Sequence, residues 1–126
     1  LELGFRDRQY DVVVCIQNGI SAFGVDQRKL IEEALRVTHS GGIVLFSSYS
    51  ERFWEDRLDW FQIQSENKLI GEIDNEATGN GVIVCKDGFR ASTVSPDDFV
   101  KLISDLDVDP IITEVDNSSI FYELRT

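Results

Sequence analysis

Two uninterrupted apolar runs with a helical segment between them constrain the fold of this chain more than any other feature. Residues 10–16 and 43–46 read YDVVVCI and IVLF, a pattern typical of strands buried on both faces of a parallel sheet. Between them, Asp26 stands at an N-cap position, and apolar residues follow it at helical spacing. The pair Gly41 and Gly42 predicts a left-handed C-cap for this helix. Strand, helix and strand with tight connections form a βαβ unit, so the two strands should be parallel.

The rest of the chain continues as one α/β unit. Ser50 can cap a helix over residues 51–67, in which Trp54, Leu58 and Phe61 lie on one stripe. An Asp-Gly pair at 87–88 predicts a hairpin between residues 82–85 and 90–94. The segment from Ser95 reads SPDD, a capping box with proline at the first helical position. Residues 111–115 and 120–124 predict a final antiparallel pair.

The composition excludes several classes of function. Lys and Arg number 12 against 23 Asp and Glu, giving a net charge of −11, so phosphate backbones and anionic membrane surfaces should repel the chain. No apolar stretch approaches the length of a membrane helix. We therefore expect a cytoplasmic protein that binds neither nucleic acid nor membrane. The two cysteines, Cys15 and Cys85, each end an apolar run and should be reduced and buried. With one histidine they are too few for a structural zinc site, so no metal is expected.

The beginning of the chain suggests a fragment. The sequence contains no methionine, and it starts at Leu1. Its first strand follows after about ten residues with no helix before it, as in one half of a doubly wound sheet. We expect the exposed edge of this strand, from Asp11 to Ile16, to recruit a second copy of the chain, because long apolar edges pair readily.

Three segments together resemble the class I S-adenosylmethionine (SAM)-dependent methyltransferases from their fourth strand onward. LGFRD at residues 3–7, followed by YDVVVC, resembles the family's approach to that strand. ALRV at 34–37, followed by GGIVL at 41–45, resembles the passage into its fifth strand, although THS replaces the common Lys-Pro. The terminal hairpin resembles its antiparallel seventh strand. The resemblance implies a partial Rossmann-like sheet of strand order 4-5-7-6, with helices on both faces and an antiparallel C-terminal hairpin.

The resemblance also implies what the chain lacks. Residues 1–126 would be the C-terminal portion of a single methyltransferase-like domain. The family's glycine-rich G-x-G turn and its ribose-binding acidic residue precede the fourth strand, and neither occurs here. The intact protein would use SAM to methylate a small-molecule acceptor, while this fragment alone would be inactive. The alternative is a non-catalytic Rossmann-like binding or interaction module, a pseudo-methyltransferase. An upstream G-x-G turn would distinguish the two.

The candidate site residues follow from the same resemblance. The loop after the first strand looks like the C-x-x-N loop of small-molecule N-methyltransferases such as the glycine type, which assigns cofactor contacts to Cys15, Ile16, Gln17 and Asn18. Asn18 and Gly19 could equally form a simple turn with left-handed backbone. The acceptor would contact Ser21, Ser48, Tyr49 and Phe53. No catalytic residue is assigned, because an activated sulfonium needs positioning more than acid–base help.

Overall fold

The computed structural model describes all residues, 1–126, as a mixed α/β chain. Six strands and four helices follow one another, with a 3-10 turn before α3. In chain order they are β1 (Tyr10–Cys15), α1 (Gly19–Ala22), α2 (Gln27–Val37), β2 (Thr38–Tyr49), the 3-10 turn (Glu51–Phe53), α3 (Trp54–Glu66), β3 (Ile83–Val84), β4 (Arg90–Ala91), α4 (Pro96–Leu102), β5 (Pro110–Val115) and β6 (Ser119–Arg125).

Four strands form the main sheet, in the order β1-β2-β6-β5. β1 and β2 are parallel, with Val13 opposite Val44. β6 is antiparallel to both of its neighbours, β2 and β5. This is the predicted order of strands four, five, seven and six, with the predicted antiparallel end, so the fold prediction is confirmed. β3 and β4 pair separately as the hairpin expected around residues 87–88.

The main hydrophobic core lies on one face of this sheet. Helices α1, α2 and α4 all contribute to it, and it is completed by alternate side chains of β2 and β6. The Phe99 ring stacks on the Tyr122 ring, with centroids 4.0 Å apart. The Tyr122 hydroxyl donates to the backbone oxygen of Val94 at 2.6 Å, so the buried phenol is satisfied.

The opposite face of the sheet is uncovered at β1. Val12 and Val14 point to this side and keep 56% and 54% of their surface exposed. β1 is also the first strand in the sheet, with no neighbour beyond it. The expectation that β1 is buried on both faces is therefore wrong, because α1, α2 and α4 cover only the other side.

Helix α2 begins where the sequence predicts and ends earlier. The Asp26 carboxylate accepts a hydrogen bond from a first-turn backbone N–H at 2.8 Å. At the other end, Thr38 already has extended backbone, and its hydroxyl donates to the backbone oxygen of Ala34 at 2.7 Å. Thr38 thus ends the helix and begins β2, so the predicted C-cap at Gly41 and Gly42 is wrong.

The two glycines lie instead inside an irregularity of β2. Between two successive pairings β1 advances from Tyr10 to Val12, while β2 advances from Thr38 to Ile43. The extra residues of β2 bulge between these points, and Gly41 takes a left-handed φ of 85° there.

The segment between β2 and α4 forms a cap at the Tyr49 end of β2. Ser50 caps the 3-10 turn that leads into α3, and Ser95 forms the predicted capping box with Asp98. A second hydrophobic cluster joins α3 to the hairpin, centred on Phe61, Ile83 and Ala91. Cys15 and Cys85 are both free thiols. None of the helices has the length and apolar character needed to cross a bilayer.

Candidate functional site

The candidate site lies where the parallel strands β1 and β2 end side by side. Ligands of open α/β sheets bind at the carboxyl ends of their strands. The loop leaving β1 is held there by its own backbone, since the N–H of Asn18 donates to the Ser47 hydroxyl of β2 at 3.1 Å. Gln17 and Asn18 both have left-handed backbone, with φ of 57° and 61°.

Gly19, by contrast, is helical rather than left-handed. Glycine is required at this position because there is no room for a side chain. A Cβ there would lie 2.9 Å from the Cys15 sulfur and 2.7 Å from the Phe23 ring. The simple turn proposed for Asn18 and Gly19 is therefore correct for the first residue and wrong for the second.

The side chain of Asn18 carries the most distinctive polar atom of the site. Its Oδ1 is buried and accepts no hydrogen bond from the protein. Buried polar atoms are nearly always paired in native proteins, so such an atom calls for an explanation, and a bound ligand is one. The same side chain faces the hydroxyl of Tyr49. Burial raises the pKa of Tyr49, and the nearby charge of Arg57 and the Asn18 amide offset part of that effect.

Ser21 and Ser48 form their side-chain hydrogen bonds within the protein. The Ser21 and Ser48 hydroxyls are 2.8 Å apart and buried. The Ser48 oxygen also accepts the backbone N–H of Val94 at 2.9 Å. These contacts join α1, β2 and the segment before α4. Both side chains are buried, so the structure gives them a packing role between these elements.

Arg57, on α3, closes the site from the side of the cap. Its side chain is only 1% exposed, and its guanidinium carbon lies 3.9 Å from the centre of the Tyr49 ring. Burial lowers the pKa of Arg57 to about 10, and no carboxylate is close enough to oppose this effect. Nothing in the sequence analysis assigned it a role, although it stands between Trp54 and Phe61 on the apolar stripe of α3. A cationic residue on an apolar helix stripe was the sequence feature that could have indicated such a role.

The structure brings some of the predicted site residues together and separates others. Asn18 and Tyr49 lie near each other, whereas Ser21 and Ser48 bond to each other. Ile16 and Gln17 are exposed at the tip of the loop. Cys15 is half-buried against the main core, and burial raises the pKa of its thiol. Phe53 ends the 3-10 turn and is also half-buried.

A separate open cavity of about 550 Å³ lies on the other side of Arg57, between the end of β2 and the start of α4. Its lining is polar apart from one indole, and it contains two carboxylates and no cationic side chain. The lining residues are Ser50, Glu51, Trp54, Asn80, Gly81, Thr93, Ser95 and Asp98. Trp54 both lines this cavity and packs against the hairpin cluster.

Comparison with known proteins identifies the fold. No family model and no curated protein matches the sequence. Among solved structures, a SAM-dependent methyltransferase from Methanosarcina mazei superposes with a TM-score of 0.64 at 16% identity, over 99% of this chain and 63% of that one. A SAM-dependent methyltransferase from Thermotoga maritima, described as a possible histamine N-methyltransferase, gives 0.61 at 12% identity, over 98% and 59%.

A third similar structure was determined with the cofactor present. The DhpI–SAM–HEP complex gives a TM-score of 0.56 at 21% identity, over 97% of this chain and 53% of that one. The chain thus spans between half and two thirds of the length of these proteins. It has the fold of the class I SAM-dependent methyltransferases, as the sequence motifs predicted.

Proposed function

We propose that this chain supplies the acceptor side of a SAM-dependent methyltransferase that acts on a small molecule. The observation that carries the proposal is the buried, unpaired Oδ1 of Asn18 at the carboxyl ends of β1 and β2. In a sheet of this fold, that is the edge at which ligands bind. An amide oxygen accepts hydrogen bonds only, so its partner would be an N–H or O–H group of the cofactor or the acceptor.

The residues present fit one part of the cofactor and leave the rest to other residues. The loop of Cys15, Ile16, Gln17 and Asn18 would hold the methionine portion of SAM, with Asn18 as the contact that the geometry supports best. When bound, SAM supplies a methyl group on an activated sulfonium. No glycine-rich turn follows a strand in this chain, and no acidic residue stands where a ribose would be bound, so the remaining contacts would come from outside it.

The chain's own residues contribute orientation. The bond from the Asn18 N–H to Ser47 holds the backbone of the loop in place at the end of β1. Tyr49 forms a wall beside it. The Tyr49 hydroxyl is protonated at neutral pH, as a phenol ordinarily is, and burial raises its pKa further, so it can donate to an acceptor heteroatom. Placing reactants in this way can contribute most of the rate of an in-line transfer that needs little acid–base help.

Isothermal calorimetry with S-adenosylhomocysteine tests how much of the cofactor site this chain holds. We expect weak or no binding, because this chain lacks the glycine-rich turn that would hold the nucleoside of this ligand. Tight binding by the chain alone would contradict the proposed division of the site.

The coding frame upstream of Leu1 tests the enzyme assignment. We expect a strand ending in G-x-G, with an acidic residue about 20 positions further on. The longer protein should then transfer methyl groups from labelled SAM to small amines or hydroxyl compounds. Replacing Asn18→Ala should lower kcat/KM about tenfold or more, since small misplacements are costly. Asn117→Ala is the matched control, because it removes an exposed amide from another asparagine with left-handed backbone, outside the β1 loop.

An upstream frame without the glycine-rich turn would favour the alternative function. The chain would then be a non-catalytic Rossmann-like binding module, a pseudo-methyltransferase, with the same fold.

A further inference from the structure

Arg57 is a buried cation without a counter-ion in a chain rich in carboxylates. Of 23 acidic residues, none pairs with it. Its four terminal N–H groups bond neutral oxygens instead, and its Nε has no partner. Burying a charge in this way is costly unless its geometry is well satisfied, so the arrangement indicates a specific role for the guanidinium.

The hydrogen bonds of Arg57 join α3 to two separate parts of the cap. Nη1 donates to the Gly81 oxygen at 3.1 Å and to the Thr93 hydroxyl at 2.9 Å. Nη2 donates to the backbone oxygens of Ala91 and Ser92 at 2.7 and 3.2 Å. Gly81 belongs to the turn before β3, and residues 91–93 form the end of β4 and the segment that follows it. Only a planar group with several donors can reach both, and lysine has no such geometry.

The segment held by Arg57 reaches the β1 loop. The N–H of Ser92 donates to the backbone oxygen of Ser21 at 2.9 Å. Ser21 belongs to α1, which follows directly from Asn18. A continuous set of contacts therefore runs from Arg57 through Ser92 to the helix that begins at the candidate site.

The flat face of the guanidinium contacts the other side of the same site. It lies over Tyr49 at 3.9 Å, with Trp54 and Phe61 at 5.5 and 5.7 Å from the same carbon. Such stacking favours one orientation of the phenol ring. The Tyr49 hydroxyl in turn faces the Asn18 side chain.

We propose that Arg57 is a positioning residue of the candidate site: it fixes the Tyr49 ring on one side and the Ser92–Ser21 contact on the other, and so sets the arrangement of Tyr49 and α1 around Asn18. That a methyl acceptor binds beside Asn18 rests on the proposed function. That Arg57 holds Tyr49 and α1 in place rests on the contacts alone, so the two statements can fail separately.

Native-state amide exchange on the chain measures the positioning directly. In Arg57→Met, the N–H groups of Asn18 and Ser92 should exchange about tenfold faster relative to that of Tyr122 in β6, because local opening becomes easier than global unfolding. The carbon resonance of the Tyr49 ring in tyrosine-labelled protein should move, while those of Tyr10 and Tyr122 stay. Arg57→Lys should not restore protection. Arg52→Met is the control, since Arg52 is an exposed cation in the adjoining 3-10 turn.

Two outcomes would overturn the proposal. One is an equal loss of protection at Asn18, Ser92 and Tyr122, which would mean that Arg57 only adds general stability. The other is full rescue by lysine. If Arg57→Met does not fold, Thr93→Val removes one acceptor of the guanidinium and keeps the core. It should raise exchange at Ser92 selectively, and unchanged exchange there would also count against the proposal.

Discussion

Arg36 shows how one side chain can fix a segment that has little regular structure. It donates to both oxygens of Glu33, at 2.8 and 2.9 Å, and to the Asp7 carboxylate at 2.6 Å. It also donates to the backbone oxygens of Leu3 and Phe5. The Leu3 N–H completes the cluster by donating to Glu33 at 2.8 Å. The motif before β1 is thus bound to α2, which places the start of β1 beside β2.

The Glu33 carboxylate should make this anchoring sensitive to acid. Hydrogen bonds from Arg36 and from the Leu3 N–H lower the pKa of Glu33 from 4.5 to about 2. A group whose pKa is lowered by folding contributes stability above its unfolded pKa and loses it as the pH falls. We therefore expect exchange of the Leu3 amide to accelerate, relative to its intrinsic rate, as the pH falls from about 4.5 towards 2.

Glu33→Gln should remove most of that dependence and leave the Leu3 amide poorly protected at neutral pH as well. Glu32→Gln is the matched control, since Glu32 pairs with Arg28 on another side of α2. An NMR titration of Glu33 with a midpoint near 4.5 would contradict the prediction.

At the level of secondary-structure elements, local patterns predicted most of the fold. The apolar runs, the Asp26 cap and the capping box at Ser95 act over a few residues, and each appears where expected. Contacts that these patterns do not specify account for the errors. Gly41 and Gly42 have the composition of a helix C-cap, but Thr38 ends the helix first, through its own hydroxyl bond.

The candidate site was predictable only in part for a similar reason. The carboxyl ends of β1 and β2 follow from the βαβ pattern, and this places Asn18 and Tyr49 near each other. Arg57 approaches from a helix that begins after β2, and its partners Gly81 and Ser92 come from loops far along the chain. No short-range pattern specifies such contacts, because they depend on how the cap folds back over the sheet.

Gly42 gives an element-scale test of the β2 bulge. A Cβ there would lie 2.7 Å from the backbone oxygen of Asp11 and 2.9 Å from that of His39, and neither oxygen can move without shifting a strand. Gly42→Ala should lower the free energy of unfolding by about 2 kcal/mol, the usual cost of overpacking. Urea denaturation measures it. Gly4→Ala is the control, since nothing lies within 4 Å of its Cβ, and equal stabilities of the two variants would contradict the close approach.

At the scale of the whole molecule, three helices cover one face of the sheet, and the other face is open at β1. The open face and the free edge of β1 meet at Val12 and Val14. An unpaired edge offers backbone donors and acceptors to another strand, and exposed apolar side chains beside it favour such pairing. The net charge of −11 acts against it by repelling a second copy.

These opposing effects lead to a prediction about self-association through the edge from Asp11 to Ile16. We propose that the chain forms dimers or larger species, and that these increase with salt, because screening weakens the repulsion between acidic copies and leaves strand pairing in place. Sedimentation velocity at several concentrations, at low and at moderate ionic strength, measures this association.

A Val12→Lys, Val14→Lys double variant should be monomeric, since lysines at an edge oppose pairing. Val100→Lys, on the exposed side of α4, is the control and should associate like the parent chain. A parent chain that sediments as a monomer under all these conditions would show that the charge prevails. If the longer protein supplies a strand beside β1, that protein should also stay monomeric, because the edge would then be occupied within one molecule.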